Sequence, residues 1–167
     1  MTTAADRVAR LLAKLDTAWT DFHGAYAGLS DAQLLRPGVT GDWSIRDLIA
    51  HLTWWDEEAL KHLPLILEGG RPPRYSVTYG GIDAFNALMT EQRQGLSLNE
   101  VRDQSEATHR RLVDYLLSVP PEAIAANDRF KRRLRLDCSA HYPIHTPDIL
   151  IWRERQPDIP RSSSPTT

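Results

Sequence analysis

Cysteine is almost absent from this chain of 167 residues, which carries Cys138 and no other thiol. A single thiol excludes an intramolecular disulfide, so a reducing compartment fits the chain best. Long apolar runs are also missing, since no uncharged stretch approaches the roughly 18 residues that cross a bilayer. The N-terminus has charges at short intervals and lacks the apolar stretch of a signal peptide. These absences predict a cytoplasmic protein without a membrane partner.

The sequence also lacks a dominant charge of either sign. It has 20 Lys and Arg against 22 Asp and Glu, which gives a net charge of −2. Its one dense basic run, at residues 129–136, is short, so we expect no nucleic-acid partner. Alternation of apolar and polar residues at a period of two is missing as well, which argues against a sheet.

Helical periodicity dominates the sequence instead. Apolar residues recur at spacings of three and four over residues 8–26, which predicts an amphipathic helix. Ser44 is a typical N-cap for a second long helix, which Pro64 either kinks or ends. Ser97 opens a third long helix, and a double proline stops it. The segment 137–152 begins the last helix.

Four main helices with short extra ones predict an all-α fold, an up-and-down four-helix bundle whose functional sites lie between facing helices. A long loop over residues 69–81 follows the second helix, and loops of this size are often functional or mobile. Residues 120–136 are expected to form a connecting stretch. We expect one domain over residues 1–156 and a disordered tail over residues 157–167, which is rich in Pro, Ser and Thr.

Three of the six histidines are candidates for metal ligands. His51 lies one turn after Asp47 at the edge of the apolar stripe of the second helix, so its ring can point into the bundle. His141 and His145 are four residues apart, so on a helix both rings leave the same face. Three neutral imidazoles from two packed helices would hold a divalent ion and leave positions open, as catalytic sites do.

Two prolines complicate the last helix. Pro143 and Pro147 follow the two histidines by two residues each, a rotation of about 200° on an α-helix. They therefore lie opposite the histidines, where a helix that bends convex toward solvent tolerates them. The alternative begins the helix at Pro147 with Thr146 as N-cap, which leaves His141 in a turn.

The remaining histidines and the cysteine are expected to have ordinary roles. His23 and His109 lie beside charged or small residues, which is typical of a solvated surface. His62 near the end of the second helix is ambiguous. Cys138 precedes His141 by three residues and is either a fourth ligand or, as is usual for a lone cysteine, a small core residue.

Three stretches of the sequence resemble, in the same order, parts of DinB-like four-helix proteins. They are GDWSIRDLIAHLTWWDEEAL (41–60), IDAFNALMTEQRQGLSLNEV (82–101) and HYPIHTPDILIWRER (141–155). The resemblance covers residues 5–156 and looks closest to the ClbS/DfsB-like branch. It implies a metal triad of one histidine on the second helix and two on the last, and these positions match His51, His141 and His145.

The resemblance also implies a type of activity. Related DinB-like enzymes include mycothiol- or bacillithiol-dependent transferases and maleylpyruvate isomerases, in which a metal activates a low-molecular-weight thiol. Members of the ClbS/DfsB-like branch that protect against colibactin hydrolyse a reactive cyclopropane and do not keep the triad. Because the histidines remain here, we expect a metal-dependent transferase or hydrolase that acts on a reactive small molecule. The alternatives are a metal-independent self-resistance hydrolase and a bundle that binds a ligand without catalysis.

The identity of the metal stays open, since Zn, Ni, Fe and Mn all accept imidazole ligands. Candidates for acid–base catalysis are Glu58, two turns past His51, together with Tyr142 and Asp148. Asp148 would orient the ring of His145 as a hydrogen-bond partner. A small-molecule substrate is the expected partner, and apolar faces on exposed helices leave room for a homodimer.

Overall fold

The computed structural model describes residues 1–159, and these residues form helices and the loops between them. No strand occurs in this range, where a single bridge between Thr40 and Trp43 is the only β-type pairing. The predicted all-α fold is therefore confirmed. No helix in the described range is long and apolar enough to span a membrane. The helices are α1 (Ala4–Ala25), α2 (Asp31–Leu34), α3 (Ile45–Leu67), α4 (Tyr75–Thr78), α5 (Ile82–Arg93), α6 (Leu98–Ser118), α7 (Pro121–Ala126), α8 (Asp128–Leu134) and α9 (Tyr142–Glu154).

Capping boxes define where four of these helices begin. Ser44 accepts a hydrogen bond from the backbone amide of Asp47, and the Asp47 carboxylate accepts one from the backbone amide of Ser44. Reciprocal bonds of this kind satisfy amides that the first turn leaves unpaired. Boxes of the same type open α1, α2 and α6. Pro64 does not end α3, which continues to Leu67.

The region 120–136 is helical, so its prediction as a connecting stretch was wrong. Pro121 opens α7, where a missing N–H costs nothing, and Asn127 caps α8 by accepting from the Phe130 amide. Phe130 and Leu134 are both buried. The two helices are too short to show a clear apolar period, and the core contacts of their few apolar residues stabilise them.

Helix α3 lies at the centre of the bundle. It packs against α6, α8 and α5, while α1 packs against α9 and α7. Most of the α3 surface is buried, including polar side chains such as His51, Asp56 and Glu58. Polar groups on this helix therefore face the interior, where each needs a partner.

A π-helical turn, Arg135–Ser139, connects α8 to α9. His141 follows as the residue before the first turn of α9, with helical backbone angles (φ −84°, ψ −45°). Pro143 falls in the first turn, where a proline is tolerated, and both prolines are exposed on the outer side. The helix thus begins at Tyr142, so the start at Pro147 was wrong, and the two histidines keep their common direction.

The segment predicted as a tail begins with residues that contact the domain. The Arg36 guanidinium lies 2.7 Å from the Asp158 carboxylate, and Ile159 is buried. Residues 160–167, the rest of the predicted tail, lie outside the described residues. The domain boundary at residue 156 stays a prediction.

Candidate metal centre

Three imidazole rings converge where α3 meets the start of α9. The Nε2 atom of His141 lies 3.0 Å from Nε2 of His51 and 3.3 Å from Nε2 of His145. One nitrogen of each ring lies within 4.8 Å of the others, and together they form a group that could hold an ion. The spacing that the sequence suggested does bring the three side chains together.

The contacts of His141 determine which of its ring nitrogens offers a lone pair toward the other two histidines. Its Nδ1 lies 3.3 Å from the backbone carbonyl of Asp137, and a carbonyl can only accept. Nδ1 therefore carries the proton, and Nε2 carries a lone pair. Without a cation, the N–H groups of His51 and His145 would have to share that one lone pair. A cation instead accepts a lone pair from each ring.

Two of the three nitrogen–nitrogen separations match those around a bound metal ion, and all three nitrogens lie within 4.8 Å of one another. Zinc bonds to imidazole nitrogen are 2.0–2.1 Å long, so tetrahedral ligand nitrogens lie about 3.3 Å apart. The observed 3.0 and 3.3 Å agree with this spacing. The donor set, three nitrogens and no carboxylate, also suits a transition metal better than calcium or magnesium.

The rings are neutral at physiological pH, as ligands must be. Burial lowers the pKa of His51 to about 2 and that of His141 to about 4, and neighbouring rings add to both effects. Burial lowers the pKa of His145 as well, while Asp148 acts in the opposite direction. All three imidazoles can therefore offer lone pairs without first releasing a proton.

Aromatic side chains cover one side of the histidine group. The Trp54 and Trp43 rings lie 4.8 and 5.0 Å from the His51 ring, and the Trp55 ring lies 5.8 Å from that of His141. Such a wall keeps water from this side. It also lowers the local dielectric constant, which strengthens any charge interaction inside.

A cavity of about 450 Å³ adjoins the histidine group. His51 and His141 line it together with Trp55, Tyr75 and Arg133. Its size is within the range of small-molecule sites. A small molecule in this cavity would therefore lie against His51 and His141.

Comparison with known proteins identifies the family. A family model of the DinB superfamily matches residues 14–146, a range that contains all three histidines. The chain belongs to the DinB superfamily. No curated protein matches it significantly. Among solved structures, an uncharacterised protein from Escherichia coli UTI89 is similar, with a TM-score of 0.74 at 13% identity over 92% of this chain and 94% of that one. At this identity the likeness supports the fold alone.

A network of polar groups lies beside the triad of this DinB superfamily member. The Tyr75 hydroxyl donates to the Glu58 carboxylate at 2.5 Å and accepts from the Arg133 guanidinium at 2.7 Å. Arg133 also donates to the Asp137 carboxylate. His62 lies 3.1 Å from the Glu58 oxygen. The network fixes the Tyr75 and Arg133 side chains in the cavity wall.

Glu58 does not line this cavity, and its contacts indicate a structural task. Burial alone would raise its pKa, but the hydrogen bonds from His62 and Tyr75 outweigh it and lower the pKa to about 2. A carboxylate with so low a pKa is a weak base at neutral pH. The structure favours a role in holding Tyr75, and direct catalysis by Glu58 stays a prediction.

The other two acid–base candidates have different surroundings. Tyr142 is 1% exposed, and its hydroxyl donates to Asp56 at 2.8 Å within the core. The Asp148 carboxylate lies 3.9 Å from Nδ1 of His145, beyond hydrogen-bond distance, and accepts from Thr40 at 2.8 Å. Asp148 is thus adjacent to the triad, whereas Tyr142 is buried and does not line the cavity. A catalytic role for either residue stays a prediction.

The remaining candidates have core or stacking roles. Cys138 is fully buried and belongs to the core, and within residues 1–159 the histidine group includes no cysteine. The expectation of a solvated surface for His23 and His109 was wrong, because both rings lie 3.9 Å from the Trp19 ring. His62 belongs to the Glu58 network.

Sequence reasoning missed Arg133 and Asp137 as parts of the cavity wall. A signal for both was available, because Arg133, Asp137, His141 and His145 follow one another at intervals of four. On a helical column this spacing places them along one face. Tyr75 lies at the start of α4, within the segment 69–81 that was predicted as a long and often functional loop.

Proposed function

We propose that the protein is a metal-dependent enzyme that acts on a reactive small molecule, by transfer of a low-molecular-weight thiol or by hydrolysis. The observation that carries the proposal is the convergence of three neutral imidazoles, two of which, His51 and His141, line a cavity of small-molecule size. His51, His141 and His145 would hold one divalent ion. Zinc, nickel, iron and manganese are the candidates.

When bound, the ion would stabilise a thiolate or lower the pKa of water, and either effect creates a nucleophile at neutral pH. The chain supplies orientation and shielding. The Asp137 carbonyl orients the His141 ring, as carbonyl partners of metal-binding histidines do. Trp43 and Trp54 shield His51 from water, and the adjoining cavity would admit a substrate.

Tyr75 and Arg133 give the cavity a polar wall. Burial and the Glu58 hydrogen bond raise the pKa of Tyr75, so its hydroxyl stays protonated. This hydroxyl donates to the Glu58 carboxylate and accepts from the Arg133 guanidinium, so it connects these two groups. Arg133 donates to both Tyr75 and Asp137, and its remaining guanidinium N–H groups would favour substrates with negative charge.

Membership of the ClbS/DfsB-like branch is part of the proposal. The presence of the complete triad supports the metal-binding type over a metal-free self-resistance hydrolase. Detoxification of an electrophile fits either chemistry that we propose. The cytoplasmic location, the absence of nucleic-acid and membrane partners, and a homodimer stay predictions.

Removal of the metal is expected to abolish turnover. The test assays a panel of electrophiles with glutathione, bacillithiol, mycothiol or water alone, using protein that has been chelated and then reloaded with each candidate metal. We expect the rate to fall at least about 100-fold on chelation and to return with one equivalent of metal, because the ion supplies the nucleophile. Full activity in chelated protein would contradict metal dependence and favour the metal-independent hydrolase.

A further inference from the structure

A second cavity adjoins the one at the histidine centre. It measures about 490 Å³ and shares Tyr75, Arg133 and Leu136 with its neighbour. These three side chains thus contribute to the walls of both cavities. A molecule of moderate size that lies along this shared wall would reach both sites.

Arginine is the prominent residue of the second cavity. Arg74 comes from the loop after α3, and Arg129, Arg132 and Arg133 come from α8. Among residues 1–159, no acidic residue contributes to the lining. Two basic segments that are distant in the sequence therefore face one cavity, although the chain as a whole carries a net charge of −2.

Most of this charge has no internal partner. Arg133 is joined to Asp137, whereas Arg74, Arg129 and Arg132 take part in no ion pair within residues 1–159. Arg129 donates to the neutral backbone carbonyl of Gly70. Guanidinium groups stay charged at any physiological pH, so the lining keeps its positive charge and favours an anion.

Apart from Tyr75, the rest of the lining is apolar. Pro72, Pro73 and Leu136 provide a surface without hydrogen-bond donors beside the arginines. An anionic group such as carboxylate or phosphate would meet the guanidinium forks, which match both geometries. A short hydrocarbon or aromatic body attached to it would lie against the prolines and the leucine.

We propose that this cavity binds the carboxylate or phosphate group of the small molecule that reacts at the histidine centre. The inference rests on the proposed function and names its substrate class, an organic anion. The anion is held by Arg74, Arg132 and Arg133, and the shared wall directs the body of the molecule toward His51 and His141. The bound anionic group belongs either to the substrate or to the thiol co-substrate, and the experiments below distinguish these two sources.

Calorimetry with phenyl phosphate, benzoate and neutral benzamide tests the anion site alone. The variant Arg74→Gln/Arg132→Gln removes two exposed guanidinium groups, and Arg110→Gln/Arg111→Gln on α6 is its control with the same change of charge. We expect the two anions to bind the wild type and the control equally, and the arginine variant at least about tenfold more weakly. Equal binding to all three proteins, or no binding to the wild type at roughly 10 mM ligand, would overturn the proposal.

Two further binding experiments show whether the anionic group belongs to the substrate or to the thiol. Phenyl phosphate is expected to bind more tightly than inorganic phosphate, because its ring adds apolar contact. Displacement of phenyl phosphate by glutathione would assign the cavity to the thiol, and displacement only by thiol-free acids would assign it to the substrate. Tighter binding of duplex DNA, with a steep salt dependence, would overturn the proposal in favour of nucleic acid.

Paramagnetic relaxation of benzoate protons by Co²⁺ tests whether the two cavities bind one molecule. In wild-type protein loaded with one equivalent of Co²⁺, bound benzoate should show paramagnetic broadening, which the arginine variant loses. Calorimetric binding without broadening, in protein that does not retain Co²⁺, would indicate failure of the metal centre while the anion site stands. Retained Co²⁺ and anion binding without broadening would show that the two cavities do not serve one molecule.

Discussion

Replacing His51 with alanine is expected to lower the affinity for Zn²⁺ by more than about 100-fold, because even the loss of a partner that only orients a ligand costs 10–100-fold. The change removes one of three nitrogens and leaves His141 and His145, which come from a single helix. The cavity left by the ring adjoins Trp43 and Trp54, so no other donor replaces the lost nitrogen.

Competition with a chromophoric chelator measures this affinity. The matched control is His109→Ala, which removes a half-buried imidazole that stacks on Trp19 away from the triad. The control should bind Zn²⁺ as the wild type does. An unchanged affinity in His51→Ala, or an equal loss in both variants, would show that the triad does not hold the ion.

Replacing Asp56 with asparagine is expected to make the protein more stable at alkaline pH relative to the wild type. Asp56 is fully buried, and burial raises its pKa from 3.8 to about 7, although hydrogen bonds from Cys138 and Tyr142 oppose the shift. The neutral acid therefore fits the core, and the carboxylate does not. Asparagine keeps an oxygen that accepts from Tyr142, and it never becomes charged.

The direction of the pH dependence follows from the raised pKa. The folded protein binds the Asp56 proton more tightly than the unfolded chain does, so this group favours folding at low pH. Its contribution is lost as the pH rises through the window from 3.8 to about 7. At about 1.4 kcal/mol per pKa unit, the loss between about pH 5 and about pH 8 is roughly 2–3 kcal/mol.

Urea unfolding of chelated protein at these two pH values measures the effect. The difference in unfolding free energy between Asp56→Asn and the wild type should grow by this amount toward the higher pH. Other titrating groups are common to both proteins and largely cancel. A difference that does not change with pH would show that Asp56 is already ionised in the folded state.

Much of the helical architecture could be predicted because its signals are local. The serines that begin α3 and α6 each have an acidic residue at the third helical position, and the capping boxes are present in the structure. The short helices α7 and α8 were missed for the converse reason. Phe130 and Leu134 stabilise α8 through contacts with distant parts of the chain, which a local pattern does not contain.

The triad was accessible to sequence reasoning only in part. The interval between His141 and His145 placed both rings on one face, but their approach to His51 depends on how α9 packs against α3. The effect of the prolines depended on where α9 begins. Because it begins at Tyr142, Pro143 falls in the first turn and disturbs no helical hydrogen bond.

The contacts across the cavity wall could not be predicted, because they join parts of the chain that share no local pattern. Tyr75 contacts Glu58 and Arg133, which lie 17 and 58 residues away in the sequence. The packing of α3 against α8 creates these contacts. The arginine cavity arises in the same way, from the loop after α3 and from α8.

Diffraction from crystals of the zinc-loaded protein at the zinc absorption edge tests the metal centre most directly. We predict one strong anomalous peak within about 2.0–2.1 Å of Nε2 of His51, His141 and His145. Absence of a peak at this position after saturation with zinc, with the three rings still in mutual contact, would contradict the metal centre.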